Sequence, residues 1–165
     1  MNRTLPVLLV TALLVGVAGC QRGATSGTAS PVAAFATGEL RILSAADTFV
    51  LQVEIAETPQ QMRVGLKRRL ELPEDAGMIF LFDREQPARS GFWMYRTYLP
   101  LSIAFLDAEG SISAIRDMEP CSSRLSFLCP SYRAGVPYHA ALEVNRGYFG
   151  RRGIRAGHRV ILRRE

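Results

Sequence analysis

Lysine is almost missing from this sequence: of its 20 basic residues, Lys67 alone is a lysine and every other is an arginine. The net charge of +5 therefore reads as an arginine bias of composition as readily as a surface for an anionic partner, and no nucleic-acid partner is expected. Histidine is nearly as scarce. His139 and His158 have no second histidine at ligand spacing, so no metal site is expected. The chain has no Cys-x-x-Cys, no Gly-x-Ser-x-Gly and no His-Glu-x-x-His, so thiol exchange, serine hydrolysis and zincin chemistry lack their usual marks. No nucleotide motif is present either, and no cofactor is expected. No apolar run reaches the ~20 residues that span a bilayer, and no internal repeat is visible. With 48% hydrophobic and 21% charged residues, the 165-residue chain is neither a disordered charged tail nor a polytopic membrane protein.

What is present begins at the N-terminus. Arg3 is the only charge before the weakly polar-to-apolar stretch Leu5–Ala18, the length of a signal-peptide core. The stretch ends in Val17-Ala18-Gly19-Cys20, which resembles the lipobox of bacterial lipoproteins. That resemblance implies a diacylglycerol on the Cys20 thiol, cleavage just before it and acylation, commonly with palmitate, of the new amino group. Two or three acyl chains at ~0.8 kcal/mol per buried methylene make a firm membrane anchor. The alternative is a plain signal-peptidase cut after Gly19 with a free Cys20. Gln21 follows, and the absence of Asp there favours the outer over the inner membrane. Gln21–Thr37 is rich in Gly, Ser, Thr and Ala and reads as a flexible tether reaching ~20–25 Å. The expected organisation is a signal peptide over 1–19, a lipidated cysteine and tether over 20–37, and one globular domain over 38–165. The expected location is the periplasmic face of a membrane.

Within that domain, Phe49, Leu51, Val53 and Ile55 alternate with polar positions, and Glu39–Leu43 carries a shorter version, so the two predict a hairpin around Ala45-Ala46-Asp47. Thr58-Pro59-Gln60-Gln61 is a capping box with proline at the first helical position. The spacing of Met62, Leu66 and Leu70 predicts a helix running to Pro73, with Arg63, Lys67 and Arg68 in solvent. Gly77–Phe82 is a continuous apolar run and predicts a central strand buried on both faces. Further strands are expected at Ser90–Met94, Leu99–Leu106, Ser111–Met118, Tyr138–Asn145 and His158–Leu162, with a short helix over Arg146–Arg152. The expected class is α+β: a mostly antiparallel sheet of seven or eight strands, with barrel-like closure as an option, and one or two short helices.

From Glu54 to Val160 an ordered series of motifs resembles the bacterial and archaeal domain of unknown function family 192. The residues that carry it are Thr58-Pro59 with Arg63 and Gly65-Leu66, Leu72-Pro73-Glu74-Asp75, Gly77-Met78-Ile79-Phe80, Phe92-Trp93-Met94 and Thr97. They continue with Pro100–Asp107, Cys129-Pro130-Ser131-Tyr132, Ala141–Asn145 with Gly147, then Gly153-Ile154 and Gly157. The resemblance implies no activity, since the family is named for lacking one; many members carry a signal peptide and some a lipobox. The chain departs from the family pattern at Tyr95-Arg96, where Lys-Asn is usual, and at Ser102 and His158, where Asp is common. Cys121–Leu128 is longer than the family norm and brings an extra cysteine.

If lipid consumes Cys20, an even pair remains in an oxidising compartment, and the eight positions from Cys121 to Cys129 allow a disulfide. The alternative is two free buried thiols. Trp93, the sole tryptophan, is either an aromatic floor for a ligand or plain core. Glu143 and Asn145 share one side of their strand within ~7 Å, as an acid/base with an orienting amide or as groups that satisfy backbone and cap the next helix. Arg151, Arg152, Arg155, Arg159, Arg163 and Arg164 form a solvated basic surface or a contact for anionic lipid headgroups or cell-wall polymers. The family motifs place Trp93, Met94 and Thr97 on one segment, Tyr132 on another, and Glu143 and Asn145 on a third. With Ser102 they define the expected ligand groove. Two functions remain: a module binding a small ligand or envelope polymer without catalysis, and a small enzyme using Glu143 as acid/base. The binding module is preferred, because no nucleophile–base pair or metal set is readable.

Overall fold

The computed structural model describes Met1 and residues 34–165. The expected signal peptide, Cys20 and the tether through residue 33 lie outside the described residues. Among those residues no helix is long and apolar enough to cross a membrane. The domain starts with the predicted hairpin, β1 (Ala36–Leu43) and β2 (Thr48–Ala56), whose first strand begins two residues inside the span assigned to the tether. A crossover containing α1 (Pro59–Val64) leads to β3 (Ala76–Gln86), which runs parallel to β2. Then follow β4 (Gly91–Trp93), β5 (Leu101–Leu106), β6 (Ile112–Met118), β7 (Ser131–Arg133), β8 (Tyr138–Asn145), α2 (Tyr148–Arg151) and β9 (Arg159–Arg164). Seven strands form one sheet in the order β6-β5-β8-β3-β2-β1-β9, and β4 and β7 pair as a separate ribbon.

The α+β class and a seven-stranded, mostly antiparallel sheet match the expectation; barrel closure does not. Among the described residues the edge strands β6 and β9 share no ladder; an isolated bridge between Ser111 and Arg159 and the bond from the Gly157 N–H to the Ile112 carbonyl join them at one end. Alternation along a strand reports which face is buried, whereas closure depends on how far the end strands share a ladder, which no single strand encodes.

Both faces of the sheet are covered. Leu40, Leu51, Val53 and Ile79 pack with Tyr148, Phe149 and Ile154 on one side, while Met78, Phe80, Leu101, Ile103 and Phe105 pack with Leu66, Met94 and Tyr138 on the other. This double burial explains the unbroken apolar run in β3, which holds the central place in the sheet as predicted.

The helix predicted to reach Pro73 is shorter. Its capping box forms as read, with the Gln61 N–H donating to Thr58 Oγ1 and Gln61 Oε1 accepting from the Thr58 N–H. It ends at Val64 because Gly65 takes φ +50, where a side chain would be strained and a Cβ would sit 3.4 Å from the Phe80 ring. Leu66 is still buried, but Leu70 is 82% exposed. Arg68, itself at φ +62, donates its N–H to the Arg96 carbonyl and ties this stretch to a distant loop. Sequence reasoning missed β7 and the 3-10 turn Ser126–Leu128, both three residues long and too short to carry a period.

Candidate functional site

Beside α1, on the Met78–Phe105 face of the sheet, the chain leaves a cavity of about 470 Å3. Its floor is Glu143, near the middle of β8, the strand between β3 and β5. The cross-strand neighbours of Glu143 are Met78 and Ile103, both fully buried. The carboxyl therefore rises from the middle of an apolar sheet. Glu143 is 6% exposed and has no hydrogen-bond or ion-pair partner among the described residues.

Burial pushes Glu143 up to about 8, and the Lys67 ammonium pulls it partly back. Lys67 is lowered by its own desolvation, with Glu143 opposing and Arg96 adding to that effect. The Lys67 Nζ donates to the Arg63 carbonyl at 2.5 Å and stands 5.9 Å from the centroid of Trp93. The pocket thus holds a carboxyl and an amine, each disfavoured as an ion by burial and favoured by the other.

The walls are aromatic. Phe80 and Phe82 come from β3, Phe92 and Trp93 from β4, and Tyr138 from the start of β8. Phe80 meets Phe92 edge-on at 4.8 Å, and Phe82 meets Tyr138 at 5.5 Å. Burial raises the Tyr138 phenol to about 12, so it stays neutral. The wall strand β4 lies close against β7: a Cβ on Gly91 would fall 2.4 Å from the Tyr132 carbonyl oxygen, so glycine is required there.

Of the groove expected from sequence, the structure brings Trp93, Thr97 and Glu143 to one cavity and places four residues elsewhere. Met94 is buried in the core. Ser102 donates to Asp117 Oδ1 at 2.5 Å and accepts the Gly147 N–H at 2.9 Å, beside α2. The Tyr132 hydroxyl accepts the Glu119 N–H at 2.9 Å. The Asn145 amide donates to the Leu72 and Pro73 carbonyls, both at 2.9 Å, and so clamps the turn before β3. It caps no helix; α2 starts from Gly147 in the left-handed region.

Sequence reasoning placed Lys67 in solvent and missed Phe80, Phe82 and Tyr138 as walls. A signal for Lys67 was available: a lone lysine in an arginine-rich chain marks a position where an amine that can lose its proton differs from a guanidinium that cannot.

Cys121 and Cys129 form a disulfide-capable pair with Cα atoms 5.7 Å apart. They brace the pocket wall. Cys121 bridges to Tyr95 and Thr97 through the backbone, and the Cys129 carbonyl accepts the Trp93 Nε1–H at 3.2 Å. Alkylation of the oxidised protein without reductant should add nothing to either cysteine in an intact-mass measurement; two added groups would rule the bridge out. Replacing both by serine should lower stability by about 2–3 kcal/mol, the loop-length value for so short a loop, and shift the emission of Trp93.

The C-terminal arginines are partly used within the fold. Arg151 and Arg152 reach Glu74 at 3.2 Å, Arg152 reaches Asp75 at 2.8 Å, and Arg164 reaches Glu57 at 2.7 Å. Such exposed pairs are screened by solvent and add little to stability. Among the described residues no group of three or more His, Cys, Asp or Glu could hold a metal ion.

Solved structures share this fold. One, from Sinorhizobium meliloti 1021 and described as a candidate transcription regulator, is 30% identical with a TM-score of 0.71, covering 80% of this chain and 98% of that one. Another, a protein of unknown function from Novosphingobium aromaticivorans DSM 12444, is 29% identical with a TM-score of 0.66, covering 79% of this chain and 89% of that one. No curated protein matches the sequence. The family model for domain of unknown function 192, described as "Uncharacterized ACR", matches residues 41–162. With that match over most of its length, the chain belongs to the domain of unknown function family 192.

Proposed function

We propose that the protein is an exported lipoprotein, anchored through Cys20 on the periplasmic face of a membrane, the outer one favoured, whose domain binds a small ligand over Glu143. The observation that carries the binding reading is the carboxyl itself: buried, without a partner among the described residues, and on the floor of an aromatic-walled cavity of about 470 Å3. The carboxyl opens on the cavity, where a ligand seated against it can supply the hydrogen bond that no described residue provides. Protonated, Glu143 offers one donor and one acceptor; ionised, it takes a cation. The fitting ligand is a small apolar or aromatic molecule with one hydroxyl, amide or amine. Support for the anchor is the Leu5–Ala18 core and the Val17-Ala18-Gly19-Cys20 sequence. An exported chain does not meet DNA, so the transcriptional description of the S. meliloti protein is not carried over.

Native mass spectrometry of the protein purified from its own membranes tests the pocket. A retained small molecule should be present in the wild type and lost from Glu143→Gln; the same adduct on both proteins would overturn the assignment. Labelling with radioactive palmitate tests the anchor. Cys20→Ala should be unlabelled and uncut, and equal labelling of variant and wild type would sink it.

The second reading, an enzyme using Glu143 as acid/base, draws on a pKa of about 8, close to working pH. It requires turnover with an apparent pKa near that value that Glu143→Gln abolishes.

A further inference from the structure

Around the mouth of the Glu143 pocket the surface changes character. The Arg96 guanidinium lies over the Tyr95 ring, 5.0 Å from its centroid, and Tyr95 stacks on Trp93 at 5.0 Å with 21° between the planes. Next to this column, the turn between Cys121 and Cys129 holds Leu125, Phe127 and Leu128 outward, the last two 78% and 61% exposed. The turn is fixed to the column because the carbonyl of Cys129 accepts the Trp93 indole N–H. Three large apolar side chains on a short turn, braced and left uncovered by the described residues, call for an apolar neighbour.

The charge around the turn identifies that neighbour. Arg63, Lys67, Arg68, Arg96 and Arg124 belong to the segments that frame the mouth, and none is in an ion pair among the described residues. Glu119, an acid of the same segments, is taken by Arg146. The tether also arrives here: the Ala34 carbonyl accepts from Gln61 Nε2 at 3.3 Å, and the next residue, Met62, lines the pocket. Fourteen positions separate Cys20 from Ala34, so an anchor at Cys20 would hold the domain by this side. Tryptophan and tyrosine beside arginine, with leucine and phenylalanine projecting beyond them, is the composition that settles at a lipid headgroup boundary.

We infer that this rim docks on an anionic lipid surface, the Leu125–Leu128 turn entering the acyl boundary and the arginines meeting headgroup phosphates, so that the Glu143 pocket opens toward the membrane. The inference rests on the reading of Cys20 as the anchor and deepens the binding proposal, since a pocket that opens there takes its ligand from the lipid phase, as an amphiphile or a membrane-dissolved aromatic.

Trp93, as the sole tryptophan, is a built-in depth probe. The full chain, processed in a bacterium and purified in detergent, is reconstituted into phosphatidylglycerol vesicles with brominated acyl chains and compared with the same vesicles unbrominated. Trp93 emission should fall at least twofold in the brominated vesicles. The loss should shrink severalfold in Phe127→Ser/Leu128→Ser, whose changes lie on the exposed turn and leave the core intact, and in Arg96→Glu/Arg124→Glu. Phosphatidylcholine vesicles should weaken it as well.

A protein that floats with the vesicles while Trp93 stays unquenched would overturn the inference and leave the anchor standing. A growth defect of the turn variant with Trp93 unquenched would assign the rim to a protein partner and overturn it equally. A chain that neither takes up palmitate nor floats removes the anchor. Quenching of that unlipidated chain at raised vesicle concentration would then uphold the rim by itself, and its absence would overturn the rim too.

Discussion

Glu143→Gln should melt well above the wild type at pH 8 to 9 and at nearly the same temperature at pH 4. In the unfolded chain Glu143 titrates near its ordinary value of 4.5, and in the folded protein near 8. Below 4.5 both states carry the proton, and the residue adds no pH dependence. Between 4.5 and 8 the unfolded state releases the proton while the folded state keeps it, so stability falls as pH rises through this window and levels off above it. Glutamine removes that slope. It is as polar and as buried as the protonated acid, so the two are matched at acid pH. The full shift corresponds to at most ~5 kcal/mol, and relaxation with water in the pocket brings the expected gain to about 2–4 kcal/mol, on the order of 10 °C in melting temperature. Binding should be lost in the same variant. Stability gained where function is lost is the signature of a group kept for its site and against the fold. Lys67→Met should move the upper end of the window higher, because the ammonium that stabilises the carboxylate is gone. A melting temperature of Glu143→Gln that falls at pH 8 would mean that the carboxylate is paired, and the pocket would lose its floor.

Phe105→Ala should cost about 3–5 kcal/mol, the upper range for emptying a buried aromatic site. Phe105 is fully buried in β5, a strand with all six residues buried. Its ring meets Tyr138 at 4.9 Å and Phe92 at 6.0 Å, so it stands behind two walls of the pocket. Removing it leaves a void that the double-sided sheet has little freedom to fill, since the neighbouring strands are held by their ladders. Urea or heat unfolding would measure the loss, and a value below ~1 kcal/mol would mean that the aromatic layer is loosely packed. The variant should also be partly restored by a benzene-sized molecule in a thermal-shift assay, as apolar cavities of this kind accept one.

These expectations draw on different kinds of knowledge. The hairpin of β1 and β2, the capping box at Thr58, the central place of β3 and the span Tyr138–Asn145 were legible from the order of residues alone. Each rests on local signals, a period of two, a cap or an apolar run, that act within a few residues. The cysteine pair was legible because two cysteines remain once Cys20 is set aside and eight positions of chain are ample for the Cα separation of 5.7 Å that they take. The end of α1 was read too far along, because the apolar stripe through Leu66 and Leu70 continued past a glycine whose positive φ stops the helix.

The site was only partly legible. Of the residues read from sequence, Glu143, Trp93 and Thr97 line the candidate pocket, whereas Asn145 shares the side of Glu143 in the pattern and is spent on the Leu72–Pro73 turn. Lys67, Phe80, Phe82 and Tyr138 join the pocket from segments far apart in sequence. Sequence by itself determined the longer strands, the α+β class and the family, and it brought Cys121 and Cys129 within reach of each other. The tertiary structure alone decided that the sheet stays open, that the lone lysine faces a buried carboxyl, and that this carboxyl is held near neutrality. Local periodicity sets which face of a strand is apolar, whereas desolvation and charge at a point depend on every segment that packs around it.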